Sequence, residues 1–513
     1  MSLYSQSDIK LLGDNINEIN DRIERKQLEL YEPSKDERVK VTDLILDFIK
    51  RNKRKVYGGF ALNKLVINKN KDDAIYKDFQ TPDVDFYSPQ PIEDLIQLCN
   101  ELSDSGLKRV MGREGKHKDT YNIFVNFQLY CDISYVPKNI YNRMPFVEID
   151  KINYIHPYFM VIDYLRMITD PLASYWRIEK SLKRMILLQK HYPLPNVDKP
   201  IQVIDSTPDL DRASGFINKY LINRKSIINI GFYAYNYFVT KSETKNKNIK
   251  PLPVPFYEFI STDYKKDFDD LIEILTKEMP GSKIEHKEYF PFFQFTGYSV
   301  EILLDGDVVA VIYSHNGKCL PFQSIDGYET NGKVIIGTFS LTLLYLQIMT
   351  MKYRTIEDKA MTTVYMTLIS HLIKIKQEYL KNNNKSIFDK TPFQDFIVDC
   401  IGTGIHPDRE ILLRYEERRG KGKKSFFQYD PSKDNRSPDI SYVFGNYSGN
   451  EIKNTKNLKL MDEPLSIDQI VEDVTQPEPS SETDIAQTDI IQPDIIQPDI
   501  AQSDIIQLDS ERT

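Results

Sequence analysis

Cysteine is scarce in this 513-residue chain: four residues, Cys99, Cys131, Cys319 and Cys400, with no CxxC pair and no zinc-finger spacing to histidine. That predicts neither a structural zinc site nor a disulfide framework, and it points to a reducing compartment. Long apolar runs are missing too; none approaches the roughly 18–20 residues that cross a bilayer. The opening MSLYSQSDIK lacks the basic-then-apolar pattern of a secretory leader, so the expected setting is inside a cell. Positive charge is short overall, with a net of -8, but the deficit is local. From Met461 onward fourteen Asp/Glu face one Arg, while the 460 residues before carry 66 Lys/Arg against 61 Asp/Glu. A mildly basic body of this kind permits a polyanionic partner without requiring one.

What is present divides the chain. The acidic tail holds five near-copies of a pentapeptide (TDIAQ, TDIIQ, PDIIQ, PDIAQ, SDIIQ) between Thr483 and Gln507. It is expected to be disordered over 449–513, either as a solvated appendage or as a docking segment. Ahead of it we expect an N-terminal helical segment (1–36), an α/β domain (37–190) and a second α+β domain (191–448). In the first domain, Val41, Leu44, Ile45, Phe48 and Ile49 share one helical face, as do Ile92, Leu95, Ile96, Cys99 and Leu102. KRVMGREGKHKDTYNIFVNF reads as a hairpin with a polar turn at Glu114–Asp119, and FQLYCDISYV as a further strand. In the second domain, Gly297–His315 reads as a hairpin, and Ser340–Tyr353 and Thr362–Leu380 as helices.

Three features of the first domain carry chemistry. Gly58-Gly59 follows a short predicted strand and precedes a helix, where bare backbone lets a phosphate approach and helix amides favour an anion. In TPDVDFYS, Asp83 and Asp85 are two apart, so a strand puts both carboxylates on one face, where repulsion calls for a cation. Asp132 interrupts an apolar strand segment, and a buried carboxylate there needs a partner. Three converging carboxylates suit a hard divalent ion, above all Mg2+ with phosphate oxygens completing its shell, and a pair of ions serves in-line displacement at phosphorus.

GGFALNKL…PDVDFYS…LYCDISYV resembles the signature of the DNA polymerase β-like nucleotidyltransferase superfamily. Within it the chain is most similar to viral poly(A) polymerase catalytic subunits of nucleocytoplasmic large DNA viruses, with a further match at MITDPLASYWRIEKSLKR. The 23 residues between Gly59 and Asp83 exceed the usual spacing, which an inserted loop at Asn68–Phe79 explains. The resemblance implies a nucleotidyltransferase palm with a mixed sheet and flanking helices, followed by an α+β domain that copies it in degenerate form. It implies template-independent addition of AMP from ATP to RNA 3′ ends, with Asp83, Asp85 and Asp132 holding two Mg2+ (Mn2+ as substitute) and Gly58 and Gly59 contacting the triphosphate. A homodimer or a processivity subunit, host cytoplasm and virion complete the implied picture. Other readings are a CCA-adding or oligoadenylate-making enzyme, or a non-catalytic RNA-binding or processivity subunit.

Cations supply the supporting candidates. Arg177, Lys180, Lys183 and Arg184 recur at helical spacing after Trp176, and either contact a triphosphate or RNA backbone, with Arg177 and Lys180 foremost for the nucleotide, or form a solvated face capped by a buried tryptophan. Lys64 is a further nucleotide candidate. Lys53 and Arg54, and Arg418, Arg419, Lys423 and Lys424 beside Phe426 and Phe427, are candidates for RNA. His117, His286 and His371 are expected to be non-catalytic, since two-metal transfer needs no histidine base.

Overall fold

The run KVYGGFALNKL switches from extended to helical at its double glycine. Lys55–Tyr57 forms strand β1, and Gly58–Ile67 forms a helix that buries Phe60, Ala61, Leu62, Leu65 and Val66. The structure, a computed structural model, describes residues 3–440 apart from 118, 202–206, 328–331, 403, 421–425 and 439. The expected acidic tail therefore lies outside the described residues. The helix Gln6–Leu30 opens with a Ser5–Asp8 capping box and buries none of its side chains. Among the described residues, those from Val41 onward belong to one compact unit containing two sheets.

The first sheet contains β1, β2 (Val84–Ser88), β3 (Met111–Glu114), β4 (Thr120–Val125), β5 (Gln128–Tyr135), β6 (Phe146–Ile149) and β7 (Ile152–Ile155). Their order is β3-β4-β5-β2-β1-β7-β6. The sheet is mixed: β2 runs parallel to β5 and β1 parallel to β7, while β1 is antiparallel to β2. Of the two expected helical faces, Val41, Ile45, Phe48 and Ile49 are fully buried and Leu44 partly so, and the helix Pro91–Asp104 buries Ile92, Leu95, Cys99 and Leu102 with Ile96 partly buried. Apolar side chains at three- and four-residue spacing have no other way to leave water together.

The second sheet is built from β8 (Ile227–Ile230), β9 (Tyr257–Ser261), β10 (Ile284–Tyr289), β11 (Ser299–Leu304), β12 (Asp307–Ser314), β13 (Leu320–Asp326), β14 (Lys333–Gly337) and β15 (Cys400–Ile401). Its order, β10-β11-β12-β9-β8-β14-β13-β15, repeats the first sheet strand for strand before β15 is added. The copy extends to single residues. Tyr57 faces Asp85 across β1 and β2, and Ile230 faces Glu258 across β8 and β9. Gly58 and Gly231 both have positive φ, and at either one a Cβ would collide with the facing carboxylate. Asp132, however, is matched by Val311, and two residues before Glu258 stands Phe256 where Asp83 would be. The second module is thus a degenerate copy that kept one acid of three. A last strand, β16 (Gln428–Tyr429), returns to pair with β3 on the edge of the first sheet.

Glu258 is left buried, and its Oε2 has no hydrogen-bond partner among the described residues. Burial pushes its carboxyl up to about 7, opposed by Tyr365 and Lys352. A carboxyl that ionises later in the folded than in the unfolded state stabilises the fold less as pH climbs from its ordinary value of 4.5 through 7. Glu258→Gln should therefore match the parent's stability near pH 4.5 and exceed it at pH 8 by about 3 kcal/mol, with a higher melting temperature there. Thermal melts across that range check it.

The cysteines depart from the expectation that none is paired in a disulfide. Cys319 and Cys400 form a disulfide, with Cα atoms 5.2 Å apart, across 81 residues of sequence. It joins the start of β13 to β15, where Pro321 pairs with Cys400. Cys99 and Cys131 are free and buried.

Candidate active site

Strand β2 buries Val84 and Phe86 and leaves Asp85 between them partly buried, while Asp83 stands exposed just before the strand. Asp85 lies in register with Asp132 on the parallel neighbour β5. One carboxylate oxygen from each of Asp83, Asp85 and Asp132 lies within 4.8 Å of the others, with Asp83 exposed and the other two partly buried. Asp132, 47 residues after Asp85, thus meets the Asp83/Asp85 pair because β2 and β5 are adjacent and parallel.

The electrostatics follow from that crowding. Burial, then the charges of Asp83 and Asp132, push the Asp85 carboxyl well above the usual carboxylate range, against the pull of Arg184 and Arg177. Burial also pushes Asp132 up to about 6, with the hydrogen bond from Asn122 working the other way. Two carboxyls, Asp85 and Asp132, that resist ionisation beside a third acid offer three hard oxygens and fit a divalent cation. Beside it, the helix Gly58–Ile67 begins at Tyr57 with no side-chain cap, leaving its first-turn amides open. Gly58, with φ +70°, lies so close to Asp85 that a side chain there would strike the carboxylate.

Comparison with known proteins decides what this arrangement belongs to. The family model for the poly(A) polymerase catalytic subunit matches residues 43–174, and a model for the C-terminal part of the APMV poly(A) polymerase catalytic subunit matches 187–462. A poly(A) polymerase catalytic subunit assigned in Acanthamoeba polyphaga mimivirus is 36% identical over 456 residues, covering 83% of this chain and 78% of that one. The chain belongs to the poly(A) polymerase catalytic subunit family. A counterpart from African swine fever virus (strain Badajoz 1971 Vero-adapted) is 27% identical over 46% of this chain and 48% of its own length. The crystal structure of the Megavirus polyadenylate synthase superposes with a TM-score of 0.79 at 34% identity, covering 91% of this chain and 93% of that one. The chain is accordingly a polynucleotide adenylyltransferase of viral type, and the family implies ATP, RNA and a divalent metal. Among the described residues no helix is long and apolar enough to cross a membrane.

The polymerase brings some of the candidate cations to the acids and turns others away. Arg177 is close enough for its charge to be felt by Asp85, Asp83 and Asp132, and Arg184 also faces Asp85. Arg184 donates to the Tyr76 hydroxyl at 3.2 Å, and both groups lie against Gly59. Lys64 reaches back over the Phe60 ring at 5.6 Å, Lys183 pairs with Glu179 on the surface at 2.5 Å, and Lys180 lies in the helix Ile178–His191 with them. Lys53 and Arg419 are exposed. Arg54 instead clamps buried Asp94 at 2.6 and 2.7 Å, and Arg418 holds buried Glu114 at 2.6 and 3.0 Å. These two guanidiniums tie elements of the fold together. Lys423 and Lys424 lie outside the described residues. Trp176, expected to be buried in the alternative reading of its helix, is 56% exposed.

Sequence reasoning passed over Asn122 and Tyr76. Asn122 sits opposite Asp132 in the β4–β5 register, and its Nδ2 donates to Asp132 Oδ1. That bond fixes the carboxylate's orientation and favours its ionised form. Tyr76 comes from the inserted loop, which is anchored by Asp73 on Lys190 (2.6 Å) and His191 (2.6 Å). Asn122→Ala should raise the Mg2+ concentration for half-maximal activity about 10- to 100-fold, with little change in melting temperature. A magnesium titration of AMP incorporation measures it.

Proposed function

We propose that this polymerase lengthens RNA 3′ ends by repeated, template-independent transfer of AMP from ATP. The observation that supports it most is the convergence of Asp83, Asp85 and Asp132 beside the uncapped helix start at Gly58. Asp83, Asp85 and Asp132 would hold two Mg2+ ions, which when bound neutralise phosphate charge and acidify the attacking hydroxyl. Open amides at Gly58 and Gly59 receive the triphosphate. Arg177 and Arg184 meet the negative charge that develops there, and Tyr76 holds Arg184 in place. Asn122 keeps the Asp132 carboxylate turned toward the site. The RNA 3′-oxygen forms a bond to the α-phosphorus, the bond to the bridging oxygen breaks, and pyrophosphate leaves; the hydroxyl proton passes to solvent. Positioning and charge carry the rate, because phosphoryl chemistry asks little covalent work of the protein.

In this reading residues 37–190 are the catalytic domain and 191–448 bind RNA or a partner, with processivity arising from a homodimer or a second subunit. Host cytoplasm and virion are its proposed locations, as suggested by the viral relatives. Incubation of labelled RNA with each NTP separately is the test. Long tails from ATP alone are expected; equal use of CTP would indicate a CCA-adding type of enzyme, and no extension with any NTP would indicate a non-catalytic subunit.

A further inference from the structure

Immediately after the helix Pro157–Ile168, the chain makes two short helical turns, Pro171–Ser174 and Tyr175–Arg177. Here the usual burial of large apolar side chains fails. Leu172, Tyr175 and Trp176 are 57%, 67% and 56% exposed and lie close together along these turns. A tryptophan is seldom left in water, and an exposed cluster of this kind marks a contact surface. Its surroundings say what kind. The Arg177 guanidinium lies 4.3 Å from the centre of the Trp176 ring, and the same side chain faces the three catalytic acids. Arg184 and the paired Lys183 lie on the helix that follows. Flat apolar rings edged by cations, one side chain away from the site of chemistry, match the chemistry of unpaired bases on a phosphate backbone.

We propose that Trp176, with Tyr175, is the platform on which the last unpaired bases of the RNA stack as its 3′ end enters the site. The assignment rests on the reading of the protein as an RNA-elongating enzyme. It favours RNA over the adenine of ATP because both rings keep more than half of their surface open: a single purine held for catalysis calls for enclosure, whereas a strand that must slide after each addition calls for an open ledge.

The chain has one tryptophan, so its emission reports this ledge alone. Titration of the full-length protein with oligo(A) ending in a 3′-deoxynucleotide, without ATP or divalent metal, should quench or shift that emission; ATP alone should leave it nearly unchanged. Trp176→Ala should raise the KM for the RNA primer about 5- to 100-fold with the KM for ATP within twofold, and Trp176→Phe should retain most of the affinity. Emission that ignores RNA, or that responds to ATP instead, overturns the proposal, as does a Trp176→Ala effect confined to the KM for ATP. Because the titration needs no turnover, quenching by RNA in a protein that adds no AMP would refute the enzymatic reading and leave the ledge standing.

Discussion

Asp85→Asn lowers the rate of AMP incorporation by at least about a thousandfold and leaves the protein folded. The rate loss follows from geometry: Asp85 is the middle member of the triad, in register with Asp132 and two residues from Asp83, so its loss breaks the oxygen cluster at its centre. Removal of one preorganised electrostatic group from such a site costs about a hundred- to a thousandfold, and on the proposed two-metal reading the loss of Asp85 exceeds that. The tolerance of the fold follows from the same crowding. Burial and two like charges already hold the Asp85 carboxyl well above its ordinary range, so a neutral amide relieves repulsion. Thermal melting should show an unchanged or raised transition. Wild-type tailing by the variant would refute the site; a variant that fails to fold would show that the carboxylate serves structure.

Gly58→Val is expected to strike both activity and stability. With φ +70° the backbone is in the left-handed region, which a β-branched residue occupies at a cost of about 1–3 kcal/mol. The new side chain would also drive into the Asp85 carboxylate and displace it from Asp132. Misplacement of a reacting group by about an ångström costs about a hundredfold, so activity should fall by that factor or more while the melting temperature drops. Gly231→Val supplies the internal control. Gly231 has φ +60° and the same collision with Glu258, so it should lose comparable stability while sparing the chemistry of the protein that remains folded. Paired melts and single-turnover assays separate the two effects.

Much of the site was legible because its logic is local. Period-two alternation placed Asp83 and Asp85 on one face, a double glycine marked a strand-to-helix turn, and an acid inside an apolar run marked Asp132. What stayed hidden depends on register or distance. Asn122 meets Asp132 only through the pairing of β4 with β5, which a bulge at Ile123/Phe124 shifts, and no local pattern reveals it. Cys319 and Cys400 are brought together by β13 and β15, a two-residue pairing with no hydrophobic periodicity of its own. The internal duplication was expected only through the family resemblance, because the copy has Val311 in place of Asp132 and Phe256 in place of Asp83 and so lacks the acids that make the motif visible. Basic runs misled in a different way. Lys53 and Arg54 read together as RNA candidates, yet buried Asp94 draws Arg54 inward, because an unpaired buried carboxylate costs more than the loss of one exposed cation.

The central claim is that Asp83, Asp85 and Asp132 together form a divalent-metal site at which ATP is positioned for attack. A crystal structure with Mn2+ and a non-hydrolysable ATP analogue, read by anomalous scattering, addresses it most directly. The expected result is two anomalous peaks among the three carboxylates, with the analogue's triphosphate against Gly58 and Gly59. Full occupancy of the nucleotide elsewhere, or a nucleotide at Gly58 with no metal touching Asp132, would contradict it.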